Sequence, residues 1–260
     1  MSVPDVEWNK VLGLSSDTWG RGITTGNDGS IYILGTKESY LDGQGVESAF
    51  ISKFNNDGNQ QWTKLLNSSF DTHGIGISTG YDGSIFITGN KRGNSNSQIN
   101  SGDSDGDAFI SKFNSNGDQH WIKYLGSSSY EQGKAIATAH DGSIYITGPT
   151  DGHLDNQINN GGDDIFLSKL NSNGEKQWTR LLGSTSDDSG IGIATKNDDS
   201  IYITGYTRGN LDGQINSGRS DAFISKFNSD GDQQWTNLLG SALSDQSKGI
   251  ATGTDDSIYI

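Results

Sequence analysis

The run Asp103-Ser-Asp105-Gly-Asp107 alternates three carboxylates with small residues. Carboxylates and backbone oxygens in Gly-rich loops are the ligands a hard cation takes, so Asp103, Asp105 and Asp107 are the candidate Ca²⁺ site, the alternative being a solvated acidic loop. The run is not an EF-hand, because the twelfth position from Asp103 is Asn114 rather than Glu. Asp107 also has equivalents, Asp164 and Asp221, at the start of a similar segment. An Asp that recurs in this way has a second reading, as an Asx-type tie between a loop and its own backbone. Polar pairs recur in other loops: Asp42 and Gln44, Asp155 and Gln157, Asp212 and Gln214. These six side chains are the expected ligand-binding set, joined by Trp19, whose indole either stacks on a sugar ring or fills a gap between packed units.

Catalytic chemistry is sparse. The four histidines, at 73, 120, 140 and 153, have no ligand or base partner nearby in sequence and read as surface residues. No nucleophile elbow, zinc spacing or phosphate loop is present. There is no Cys, which excludes disulfides and thiol catalysis. The net charge of −14 argues against nucleic acid or an anionic membrane surface as a partner, since both are bound through clustered Lys and Arg. No apolar run approaches a membrane span, and residues 1–7 have neither the basic segment nor the apolar core of a secretory signal. Gly takes 37 of 260 positions while the hydrophobic residues reach only 30%, so the chain is a globular one built on small residues.

What must position these side chains is a repeat. Trp8, Trp62, Trp121, Trp178 and Trp235 are separated by 54, 59, 57 and 57 residues. Around them recur Phe54-Asn-Asn-Asp-Gly-Asn-Gln-Gln-Trp62 and Phe227-Asn-Ser-Asp-Gly-Asp-Gln-Gln-Trp235, and a second block recurs as Asp28-Gly-Ser-Ile-Tyr-Ile and Asp141-Gly-Ser-Ile-Tyr-Ile. Each unit reads as four short strands: Gly-Ile-x-Thr, Ser-Ile-Tyr-Ile, a segment such as Ala222-Phe-Ile-Ser-Lys-Phe227, and one containing the Trp. No segment keeps a 3.6-residue apolar period, so helices are not expected. The fold class is all-β: a β-propeller of about five four-stranded blade repeats of ~57 residues, the last lacking one strand. The units run about 13–67, 68–126, 127–183 and 184–240, with a partial repeat at 241–260 and a lone fourth strand near 7–12. A β-solenoid is the disfavoured alternative, its coils being shorter and without paired hairpins.

The block Asp-Gly-Ser-Ile-Tyr-Ile-Thr-Gly followed by Asp-Ala-Phe-Ile-Ser-Lys-Phe and a Gln-Gln-Trp ending closely resembles the bacterial SBBP β-propeller repeat, and more distantly the PQQ-type repeat. The resemblance covers essentially the whole chain and implies a scaffold of bacterial surface or secreted proteins, with no single activity.

Antiparallel strands put successive connections on opposite faces, so the long second-to-third loops and the crossovers between units share one face. The expected function is a non-enzymatic binding scaffold that presents those loops to a glycan or protein ligand. The alternatives are a lyase or hydrolase acting at the channel mouth, and a structural or self-assembling module. The missing strand exposes a sheet edge, from which self-association through the last blade is expected. The acidic, Cys-free composition and the resemblance both suggest an extracellular or cell-surface location.

Overall fold

The chain reverses direction at two kinds of tight turn. In the first, an Asp carboxylate accepts the N–H of the Ser two residues on, at 3.0 Å for Asp28, 2.9 Å for Asp82 and 2.8 Å for Asp141. The residue between them needs a positive φ, which Gly29, Gly83 and Gly142 supply without a steric penalty, and which Asp199 adopts at 62° in the fourth unit. In the second, the side-chain oxygens of Asn55, Asn114, Asn171 and Asn228 each accept the N–H four residues on.

Between these turns the β-branched and aromatic residues pair as antiparallel strands. A computed structural model describes residues 8–9, 17–41, 44–66, 71–92, 106–255 and 257–260. The first blade comprises β1 (Thr18–Thr25), β2 (Ile31–Leu41), β3 (Gln44–Phe54) and β4 (Gln60–Leu65). The second comprises β5 (Thr72–Thr79), β6 (Ile85–Lys91), β7 (Asp107–Phe113) and β8 (Gln119–Leu125). The third holds β9 (Ala135–Thr138), β10 (Ile144–Thr150), β11 (Asp164–Leu170) and β12 (Lys176–Leu182). The fourth holds β13 (Asp188–Thr195), β14 (Ile201–Thr207), β15 (Asp221–Phe227) and β16 (Gln233–Leu239), and β17 (Ala251–Thr252) pairs with β18 (Ile258–Tyr259). Each set of four is one antiparallel sheet in chain order, and no helix occurs among the described residues. The all-β, blade-by-blade architecture expected from the repeat is therefore the one observed.

The hydrophobic core lies between sheets rather than within one. Leu34 and Ile51 of the first blade pack with Ile85, Ile87 and Phe109 of the second, and Ile165 and Leu167 of the third pack with Ile201, Ile203 and Phe223 of the fourth. At the inner edge the first strands touch in succession, and their last Thr stitches one to the next. Thr79, Thr138, Thr195 and Thr252 each donate a hydroxyl hydrogen bond to the carbonyl of the equivalent Thr in the preceding blade, at 2.8, 2.9, 3.0 and 3.3 Å. At the outer edge, Trp62, Trp121 and Trp178 tilt against the second-strand aromatic of their own blade, with ring centroids 6.1, 6.1 and 6.0 Å apart. Each of these rings also covers the turn Gly of the next blade, namely Gly117, Gly174 and Gly231. Trp8 covers Gly58 in the same way and donates to the Asn56 carbonyl at 3.1 Å, so it holds the outer-strand position next to the first blade.

The first strand of the first, second and fourth blades is bulged where it enters. The ladder slips between Gly20 and Gly22, Gly74 and Gly76, and Gly190 and Gly192, leaving Arg21, Ile75 and Ile191 as the extra residues. A carbonyl lies close against the facing second strand, so that a Cβ on Gly205 would overlap the Ser189 carbonyl oxygen, as one on Gly148 would that of Gln132. Gly205→Ala is accordingly expected to cost about 2 kcal/mol by overpacking, read as a lowered urea midpoint with unchanged slope. Trp19 belongs to a strand rather than a loop: it is the second residue of β1, opposite Thr36.

Candidate functional site

The loop face offers two arrangements, one on the blade flanks and one at the axis. On the flanks, the second-to-third loops of the third and fourth blades fold alike. Leu154 and Leu211 are buried anchors, and each bridges to a Gln, at Leu154–Gln157 and Leu211–Gln214. The two central residues of each turn have positive φ: 52° and 62° at Asp155 and Asn156, and 51° and 73° at Asp212 and Gly213. These are tight two-residue hairpin tips of the kind Asn, Asp and Gly permit. Past each tip, Asn159 and Asn216 tie the loop down by donating to the carbonyls of Thr150 and Thr207 at 3.1 and 3.0 Å. Ile158 and Ile215, between tip and tie, are 70% and 78% exposed.

The carboxylates of these tips point back to their own blade. Asp155 pairs with Lys176 and accepts the Thr179 hydroxyl at 2.5 Å, while Asp212 accepts the Gln233 amide at 2.7 Å. The tip acids thus brace the loops, and the exposed isoleucines beside them are the feature that sequence reading passed over. Gln44 opens β3 opposite Leu41, and Asp42 lies outside the described residues. Trp19, at 41% exposed, keeps much of its surface open on this face.

Asp107 does not stand in an open loop. It is buried at the start of β7, with its carboxyl pushed up to about 6 by that burial and by the neighbouring Glu131. Asp103 and Asp105 lie outside the described residues, and among the described residues no group of three metal-type side chains is gathered. The pattern repeats at the next blade junction. Asp164 is buried and its carboxyl is likewise pushed up to about 6 by desolvation, with Asp188 adding to the rise. Asp164 accepts the Asn160 N–H at 2.9 Å and Asp221 the Ser217 N–H at 2.8 Å, which is the Asx-type tie. One oxygen each of Asp107, Asp164, Asp188 and Asp221 is buried without a hydrogen-bond partner.

At the axis, a cavity of about 330 Å³ opens at the inner ends of the first strands. Arg21, His73, Arg92 and Lys134 line it together with Ile75, Asn90, Tyr130 and Gln132, and no carboxylate is in the wall. His73 Nδ1 lies 2.8 Å from Glu47, and Gln132 donates to Asn90 at 2.8 Å. The histidine read as a lone surface residue therefore has a partner. So does His140, stacked on Tyr81 at 4.4 Å. The basic wall was legible in principle: Arg21, Ile75, Lys134, Ile191 and Lys248 are one repeat position, the residue immediately before the Gly-Ile-x-Thr strand or its equivalent.

Four-stranded antiparallel sheets, packed face to face with their first strands in succession at the inner edge, define the blades of a β-propeller. Residues 177–212 match the family model of the SBBP beta-propeller repeat. It is 28% identical over 188 residues to the regulatory protein FlaEY of Caulobacter vibrioides, covering 64% of this chain and 20% of that protein. It is 26% identical over 202 residues to an uncharacterized WD repeat-containing protein of Acanthamoeba polyphaga mimivirus, covering 64% of this chain and 14% of that protein. The chain thus spans a fifth or less of the length of these relatives. Among solved structures, a luciferin-regenerating enzyme aligns over 92% of this chain and 81% of its own, with a TM-score of 0.45 and 11% identity.

Proposed function

We propose that this propeller is a non-enzymatic binding scaffold of a bacterial surface or secreted protein, presenting its loop face to a glycan or protein ligand. The observation that carries this reading is the paired hairpin. Neighbouring blades hold the same tip in the same conformation, each with an exposed isoleucine beside a braced acid, and two copies of a weak site gain strength through avidity. An apolar side chain on a rigid, polar-rimmed loop suits the apolar face of a sugar ring or a partner's aliphatic side chain.

A glycan array, followed by titration of any hit, tests the proposal. Ile158→Ser/Ile215→Ser together are expected to weaken binding at least tenfold without changing the melting temperature by more than about 2 °C, since both side chains are exposed. A panel of glycans and surface proteins that yields no binding, or binding indifferent to both substitutions, overturns it. Turnover of a polysaccharide would favour an enzyme at the channel mouth instead.

A further inference from the structure

The basic wall of the axial cavity points to a ligand of its own. The chain carries 18 Lys and Arg against 32 Asp and Glu, yet this cavity is lined by Arg21, Arg92, Lys134 and His73 and by no acid. Chance placement on so acidic a surface would have mixed the signs. The repeat supplies the placement: Arg21 is the extra residue of the β1 bulge, and Lys134 holds the same repeat position immediately before β9. Lys248 occupies the same position in the last unit. The cavity wall gathers Arg21, Arg92 and Lys134 from the first three blades, and Lys134 feels both Arg21 and Lys248 as repelling charges. Among the described residues Arg21, Arg92 and Lys134 make no ion pair. The nearest acids are already engaged: Glu47 with His73, and Asp163 both repelled by Asp187 and Asp151 and drawn to Arg208 as well as Lys134. Burial and the two like charges together hold the Lys134 ammonium below the ordinary lysine range. Gathering like charges in a partly desolvated space raises the free energy of the empty protein, and an anion that enters reverses that cost.

We infer that the axial cavity of the loop face is a binding site for a compact, multivalent oxyanion, held by Arg21, Lys134 and Arg92 with Lys248 adding to the field. Guanidinium groups take such oxyanions through paired N–H donors, and the ammonium supplies a point charge. A cavity of about 330 Å³ accommodates a phosphate, a sulfate or a small polycarboxylate, and equally one such group on a larger molecule. This site is separate from the paired hairpins, so neither reading depends on the other.

The test is thermal unfolding of the whole chain in chloride, inorganic phosphate, sulfate and citrate at matched ionic strength, with calorimetric titration of the best of them. A saturable rise of about 3–5 °C at tenfold excess over Kd is expected for at least one multivalent anion and none for chloride. Arg21→Gln and Lys134→Met should each weaken that anion about tenfold, while Lys134→Arg should retain it. Lys134→Met should also melt at or above the wild-type temperature in chloride, because it removes the repulsion; this separates a lost site from a damaged fold. Ile158→Ser/Ile215→Ser should leave the anion response intact. The order of phosphate, sulfate and citrate identifies the class of group bound. No rise beyond chloride with any of the three, or an equal rise in the Arg21→Gln and Lys134→Met variants, would falsify the assignment.

Discussion

Trp121→Ala is expected to destabilise the protein by about 3 kcal/mol in chemical denaturation. The ring does two jobs. It tilts against Phe86 at 6.1 Å within its own blade, and it roofs Gly174 in the next, where an added Cβ would stand 3.1 Å away. Removing it opens a gap at a blade junction whose walls are held by the strands on either side, so the space cannot close. The ring is half-buried rather than enclosed between blades, which puts the cost at the low end of the range for aromatic truncation. Trp235 makes the matching contact with Tyr202 at 6.2 Å but is 37% exposed, so Trp235→Ala should cost clearly less, about 1 kcal/mol. Equal losses at the two positions would mean that the junction contact contributes nothing.

Acidification should stabilise this protein before it denatures it. The carboxyls of Asp107 and Asp164 titrate near 6 in the folded chain, about two units above an exposed aspartate. A group raised on folding binds its proton more tightly in the native state, so its contribution is fully present below the unfolded value and is lost as pH rises through 6. Moving from pH 7.5 to pH 5 should therefore add about 1.4 kcal/mol for each group, or about 3 kcal/mol for the two. Carboxylates held low act in the opposite sense and in a lower window. Asp28, which accepts the Ser30 N–H and hydroxyl, contributes above its unfolded value near 4 and loses that contribution only as pH falls further. Stability should peak between about pH 4 and 5. Asp164→Asn should flatten its share of the slope and keep the acceptor for the Asn160 N–H. A stability that rises monotonically from pH 5 to pH 7.5 would show that the buried acids are ionised and paired in solution.

The sequence was enough for the architecture because each element of a blade declares itself locally. Asp-Gly-Ser closes one turn through its own carboxylate, Asn-x-x-Gly closes another, and Ser-Ile-Tyr-Ile has no low-energy alternative to a strand. Repetition of these signals every ~57 residues then leaves a propeller as the simplest way to bury every sheet. The candidate binding residues were legible as positions, but their contacts within the fold were not. Asp155 and Asp212 sit in the expected loops, but they turn inward to Lys176, Thr179 and Gln233, contacts about twenty residues away along the chain. Asp107 was legible beside Asp103 and Asp105, which lie outside the described residues, but its burial next to Glu131 of the following blade was not.

Those differences have one physical origin. Local hydrogen bonding fixes turns and strands, and it acts over two to four residues, which is the range that sequence spacing records. Whether a charge is buried, paired or gathered with its like depends on partners some twenty residues away in the same or the following blade, or further still across blades. Arg21, Lys134 and Lys248 share one repeat position but stand more than a hundred residues apart in the chain, too far for spacing to record which side chains meet. The sequence alone determined that there would be blades, where their turns would fall and which faces would bear the loops. The tertiary structure alone decided that Arg21, Arg92 and Lys134 line a common space, because only the packing of the first three blades brings the ends of their inner strands together.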